Sequence, residues 1–218
     1  MIQNTNTYDT LTISTPTHHL DSYRDASGIR DIHITAAVHL AYVAVVWSGQ
    51  IDIACHLMHP QASADIRVIY IGKEKSLTQS TVTAYLEASH TRADVYMLSL
   101  LADGSDITVH GNVTIKSDIL QTAGYLVEEN IILGERIKVK TLPMLDVRSN
   151  DVRASHGCKI ERIDPKRLFY MQSRGLDHEQ SRWLILDGYI NNFFASLEWQ
   201  DDMMIAGLGE EIKKGLTV

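Results

Sequence analysis

A succession of short apolar runs, each bounded by turn formers, fills the first two thirds of this chain and limits what it can fold into. The runs are Ile34–Trp47, Ile51–Leu57, Ile66–Ile71, Thr81–Leu86, Val95–Leu101, Ile107–Ile115, Ile131–Val139 and Met144–Val147. They are rich in Val, Ile, Thr and Tyr, which suit a pleated, half-buried surface. Between them stand Ser48-Gly49, Pro60, Gly72-Lys73, Asp103-Gly104, Gly111-Asn112, Gly124 and Gly134. Strands of this length broken by Gly and Asx predict an all-β body. Asp103-Gly104 reads as a tight hairpin turn. The pattern leaves two architectures open, an antiparallel sandwich or barrel and a solenoid of stacked coils. No strict repeat decides between them. Continuously apolar runs such as 36–46 lean toward strands buried on both faces.

The texture changes after Asp164. Asp164 is placed to cap a helix with Pro165 at its first position, and Gly175 to end it in the left-handed conformation. Asp177 with Gln180 approximates a capping box for a second helix. Trp183, Leu184, Leu186, Ile190, Phe193, Phe194 and Leu197 form its apolar stripe, which either packs on the β body or is kept for another subunit. A third helix is expected from Asp201 to about Lys214. The chain thus divides into a polar arm or first irregular layer (1–30), a β body (31–158) and a helical domain (159–218).

The formal net charge of −7 disfavours nucleic acid, whose phosphates require clustered cations. The charge is uneven: residues 135–182 hold eleven Lys or Arg against seven Asp or Glu. That stretch is either a solvated face or a docking surface for an acidic protein. The longest apolar run is short of the about 20 residues a spanning helix needs, so no membrane span is expected. The N-terminus does not read as a signal peptide, and two lone cysteines, Cys55 and Cys158, suggest a reducing compartment, so a cytoplasmic protein is expected. No P-loop, G-x-S-x-G or H-E-x-x-H pattern occurs.

Residues 138–190 carry three elements in order: Leu142-Pro143-Met144-Leu145-Asp146-Val147, Asp151-Val152-Arg153-Ala154-Ser155-His156-Gly157 and Leu168-Phe169-Tyr170-Met171-Gln172-Ser173-Arg174-Gly175-Leu176. In type and spacing they resemble the C-terminal core of the SufB/SufD family, scaffold subunits of the Suf iron–sulfur assembly machinery. A weaker likeness runs through Gly111–Ile115 and Glu129–Gly134. The resemblance implies a right-handed parallel β-helix with a C-terminal α-helical cap. It implies a non-enzymatic scaffold subunit, acting with a SufC-like ABC-type ATPase, as a homodimer or as a heterodimer with a SufB-like paralogue, and carrying a transient iron–sulfur cluster. The alternative is a degenerate SufD-like subunit that stabilises a partner without binding metal.

The resemblance places His156 at the family's cluster-assembly histidine, and imidazole suits iron. Cys158 lies two residues on, so in an extended segment both face one side; it is either a further ligand or a small buried hydrophobe. The family more often has Ala there. Glu128 stands where SufB-type members carry a cysteine, and Gly157 where they carry a glutamate, which makes the chain closer to SufD. Leu168, Tyr170, Arg174 and Gly175 are the expected ATPase contacts. Cys55, His56 and His59 form a C-H-x-x-H cluster that only loosely matches metal-ligand spacing. His110 is expected to be structural, in a turn before Gly111.

Overall fold

The runs of β-branched residues do form strands, and every ladder between them is parallel. A computed structural model describes residues 9–195, 197 and 202–216, with 9 and 202–205 described by backbone alone. In chain order the elements are β1 (Asp9–Ile13), β2 (Thr17–Tyr23), β3 (Ala26–Ile34), β4 (His39–Val46), β5 (Gly49–Leu57), β6 (Ser63–Gly72), β7 (Leu77–Leu86), β8 (Arg92–Leu101), β9 (Asp106–Ile115), β10 (Thr122–Ile132), β11 (Lys138–Thr141), β12 (Met144–Val147) and β13 (Val152–Arg162). Helices α1 (Pro165–Ser173), α2 (His178–Phe194) and α3 (Asp202–Leu216) follow. Up to β11, consecutive strands alternate between two sheets. The odd sheet runs β1-β3-β5-β7-β9-β11, with β12 also beside β9, and the even sheet runs β13-β10-β8-β6-β4-β2.

Up to β11 each strand therefore pairs with the strand two places away, while β12 and β13 pair three places back, with β9 and β10. Ile53 lies opposite Val82 and Val82 opposite Gly111. This settles the sandwich question against antiparallel pairing. Asp103-Gly104 is a turn, with Gly104 at φ 78°, but β8 and β9 on either side enter different sheets, so it joins no hairpin. Its carboxylate instead accepts the backbone N–H groups of Glu135 and Arg136 from the next turn (2.9 and 2.7 Å). Gly111, Asn112 and Gly124 do not break strands; they lie inside β9 and β10, and so does His110. The run 131–139 is divided, with β10 ending at Ile132 and β11 starting at Lys138.

Alternation along each strand puts one face inward. Between the sheets pack Ile32, Ile34, Ile53, Leu57, Tyr42, Ile66, Val68, Val82 and Leu126, among others, all at most 1% exposed. The even sheet is also buried on its outer face: Val43, Val45, Ile69, Ile71, Leu98, Leu100 and Ile131 meet Leu186, Ile190, Phe193 and Phe194 of α2 and Leu208 and Ile212 of α3. That double burial explains why β4 is continuously apolar. Each such side chain contributes roughly 1.5–3 kcal/mol.

Local signals set the helices. Asp164 accepts the Lys166 N–H with Pro165 in the first turn, and Gly175 sits at φ 95° beyond the end of α1. Asp177 and Gln180 form a reciprocal capping box on α2, and Lys213 and Lys214 lie in the last turn of α3. The expected start of that helix, Asp201, lies outside the described residues. Arg67, 7% exposed, donates to the Phe193 carbonyl at 2.8 Å and so meets the negative end of α2. Among the described residues no helix is long and apolar enough to cross a membrane.

Candidate functional site

The stack ends unevenly, and the sequence-predicted residues lie at that end. β13 pairs with β10 alone. In this ladder Leu126 faces His156, and Glu128 faces Cys158. Val152 and Ala154 at the start of β13 still pack against the core between the sheets. His156 and Cys158 continue the same face but are exposed, because β11 and β12 close the odd sheet before covering them.

Glu128, by contrast, points into the stack and is 1% exposed. The Gly111 backbone N–H donates to its Oε1 at 2.6 Å, and the Thr141 hydroxyl donates to its Oε2. Gly111 is needed there: a Cβ would come within 2.6 Å of Oε1 and of Leu126 Cδ1, and 2.9 Å of Met97 Sδ. The Cys158 thiol approaches Thr141 Oγ1 at 4.0 Å. Glu128, Thr141 and Cys158 thus form a short polar chain from the core to the surface.

Burial pushes the Glu128 carboxyl above its ordinary range, more than the Thr141 and Gly111 hydrogen bonds and the nearby His156 bring it down. Burial also raises the Cys158 thiol; the Thr141 contact lowers it and the Glu128 charge adds to the rise. The group therefore offers a thiol, an imidazole and an acid whose charged form is disfavoured by burial. Soft thiolate and imidazole donors suit iron chemistry, and exposure leaves room for a bound group. Among the described residues, no trio that includes Glu128, His156 or Cys158 brings its ligand atoms within 4.8 Å of one another. Gly157, between His156 and Cys158, has open space where a side chain would project.

Sequence reasoning missed Thr141 and the placement of Gly111. A glycine inside an otherwise β-branched run was the available signal, since it marks close approach by another group. The C-H-x-x-H cluster is pulled apart. Cys55 is fully buried in the core, His56 faces outward next to Glu87, and the exposed His59 meets the Pro60 carbonyl.

The expected docking residues lie on α1, which buries no side chain. Phe169 and Tyr170 are 72% and 59% exposed. Leu168 is half-buried and Gly175 exposed. Arg174 donates to the Tyr170 hydroxyl at 3.2 Å and lies 5.3 Å from the centre of its ring.

Residues 30–189 match the domain family described as SUF system FeS cluster assembly, SufBD core domain. The chain is 24% identical over 119 residues to the iron–sulfur cluster assembly protein SufD of Escherichia coli, which covers 54% of this chain and 28% of that protein. It is 25% identical over 121 residues to a SufBD family protein of Synechocystis, 56% of this chain and 26% of the relative. With a SufBD family protein of Archaeoglobus fulgidus it shares 26% identity over 129 residues, 59% of this chain and 34% of the relative. The matched stretches are thus about a quarter to a third of these relatives' own length. A match through most of the two sheets and the first two helices places this chain in the SufBD core family.

Proposed function

We propose that this protein is a non-catalytic scaffold subunit of a Suf-type iron–sulfur cluster assembly complex, closer to SufD than to SufB. In this reading the two parallel sheets are the walls of a right-handed β-helix, and 159–218 form its cap. A second subunit, this chain or a SufB-like paralogue, adds to the free edge of β13, as unpaired edges favour. A SufC-like ATPase docks on the exposed aromatic face of α1 around Tyr170 and Arg174. The observation that carries the reading is that His156 and Cys158 stand exposed on an edge strand paired on one side only, directly beside the buried acid Glu128. Joining at that edge would enclose both side chains between subunits, where a nascent cluster, the cargo, could take imidazole and thiolate ligands.

The competing reading is a structural subunit that binds no metal. Both oxygens of Glu128 already accept hydrogen bonds, which favours it. Isolation of the native complex followed by anaerobic reconstitution with iron and sulfide separates the two. The scaffold reading expects an ABC-type ATPase in the complex and a visible iron-dependent chromophore that His156→Ala weakens several-fold. A complex with the ATPase but no chromophore establishes the structural subunit. Recovery of the chain with no ATPase overturns both.

A further inference from the structure

Among the described residues, the apolar cluster that α2 and α3 share with the strands draws on the even sheet, so it lies away from the outer face of the odd sheet. Parallel register lines up chemistry-bearing residues there. His33 lies opposite His56, and His56 opposite Tyr85. Asp31 precedes His33 by two residues on the same face and is opposite the small Ala54, which leaves its carboxylate within reach of both rings. His33 Nε2 is 3.1 Å from Asp31 Oδ2, and His56 Nε2 is 3.5 Å from Asp31 Oδ1. The ligand atoms of Asp31, His33 and His56 all lie within 4.8 Å of one another.

Two details separate this cluster from an ordinary ion pair. Asp31 Oδ1 is buried with no hydrogen-bond partner, which costs free energy in a satisfied surface. His56 is also oriented from behind. Its Nδ1 lies 2.7 Å from Glu87 Oε1, and an ionised carboxylate can only accept, so Nδ1 carries the proton. His56 Nε2 faces Asp31 Oδ1 across 3.5 Å. Metal ligation uses the Nε2 lone pair, and a cation placed there would also give Oδ1 the partner it lacks. Tyr85 stacks on the His56 ring at 4.5 Å and 13°, which fixes the plane in which that lone pair points. A histidine that donates its far N–H to a carboxylate and aims the other nitrogen at a shared point is the usual supporting arrangement of a metal ligand. In a tetrahedral site with ligand bonds of about 2.0–2.2 Å, neighbouring ligand atoms are about 3.4 Å apart, near the separations already present.

We propose that Asp31, His33 and His56, with Glu87 behind His56, bind a divalent first-row cation such as zinc or iron(II). Two imidazoles and one carboxylate leave open coordination positions. The site is on a different face from the β13 edge and does not depend on the assembly role.

Titration of the metal-free full chain with cobalt(II) under anaerobic conditions tests this. One equivalent should bind, with visible d–d absorption and no thiolate-to-cobalt charge-transfer band, since neither Cys55 nor Cys158 takes part. The double variant His33→Gln, His56→Gln should abolish binding, and Glu87→Gln should weaken it by roughly 10–100-fold through loss of ring orientation. All three positions are partly exposed, and an unchanged melting temperature in the absence of metal verifies that the variants fold. His156→Ala and Cys158→Ser should leave the titration as it is. Absence of cobalt binding to the wild type overturns the proposal, as does undiminished binding to the double variant. A cobalt–thiolate band lost in Cys158→Ser would also overturn it, by placing the cation at β13.

Discussion

Each end of the β stack holds a buried carboxylate, and the two are handled in opposite ways. At the first end Asp21 of β2, 2% exposed, receives Arg30 Nε and Nη2 at 2.8 and 3.0 Å and the hydroxyls of Tyr42 and Tyr23 at 2.8 and 2.9 Å. His19 Nε2 lies 3.1 Å away. Burial opposes ionisation, but the His19 hydrogen bond and the charge of Arg30 bring the carboxyl down to about 2. At the last end Glu128 has neutral donors only, and burial raises it. The first acid is held as an ion, with its lone pairs occupied and its charge matched. The second has burial working against its charge, beside an exposed imidazole and thiol. At the first end a guanidinium matches the charge; at the last the acid has neutral donors and its neighbours stay accessible.

Removing the matching charge at the first end should have the largest effect. Arg30→Met leaves the buried Asp21 carboxylate with only His19 and the two tyrosine hydroxyls and should cost roughly 3–5 kcal/mol in urea unfolding at neutral pH. Adding Asp21→Asn should restore a good part of that. If the single variant unfolds at the wild-type denaturant concentration, Asp21 is not held by charge and the contrast collapses. Next in size is Gly111→Ala, which forces a methyl into Glu128, Leu126 and Met97 and should cost about 1–3 kcal/mol. Gly157→Ala on the exposed edge meets nothing within 4 Å, and its melting curve should match wild type to within about 0.5 kcal/mol.

The smallest and most diagnostic effect is the pH dependence. Asp21 is lowered, so its stabilisation is present above the ordinary 3.8 and is lost as pH falls toward about 2. Glu128 is raised, so its contribution is present below the ordinary 4.5 and is lost as pH rises through its folded value. Glu128→Gln should therefore melt higher than wild type at pH 8, and the gain should fade toward pH 4. An amide can accept from Gly111 and donate to Thr141, so the packing is kept. A variant that is less stable at pH 8 would mean that the Gly111 and Thr141 hydrogen bonds to the carboxylate outweigh its burial.

Helix ends were legible from residues alone because capping is local: Asp164, Gly175, Asp177 and Gln180 act within a few positions. The strand runs were legible for the same reason, since alternation reports a buried face. The absence of a visible repeat has a physical cause. Paired positions are 29 residues apart between β7 and β9, as for Val82 and Gly111, but 32 between β9 and β11, as for Asp106 and Lys138. Turns of different length vary the step, and only inward positions are constrained. The glycines at 111 and 124 were misleading because a turn and a close packing contact both select a residue without a side chain.

His156 and Cys158 could be picked out by chemistry, spacing and resemblance, and their shared face follows from the two-residue period of any strand. Their relation to Glu128 could not. It requires that β10 and β13, thirty residues apart, pair in one register, and that β9 and β11 bring Gly111 and Thr141 to the same carboxylate. The same holds on the outer face, where Asp31 and His33 meet His56 only because β3 and β5 are aligned. Local propensity acts over a few residues and is written in the chain. Register between strands is set by the packing of all the inward side chains at once, so it exists only in the folded stack.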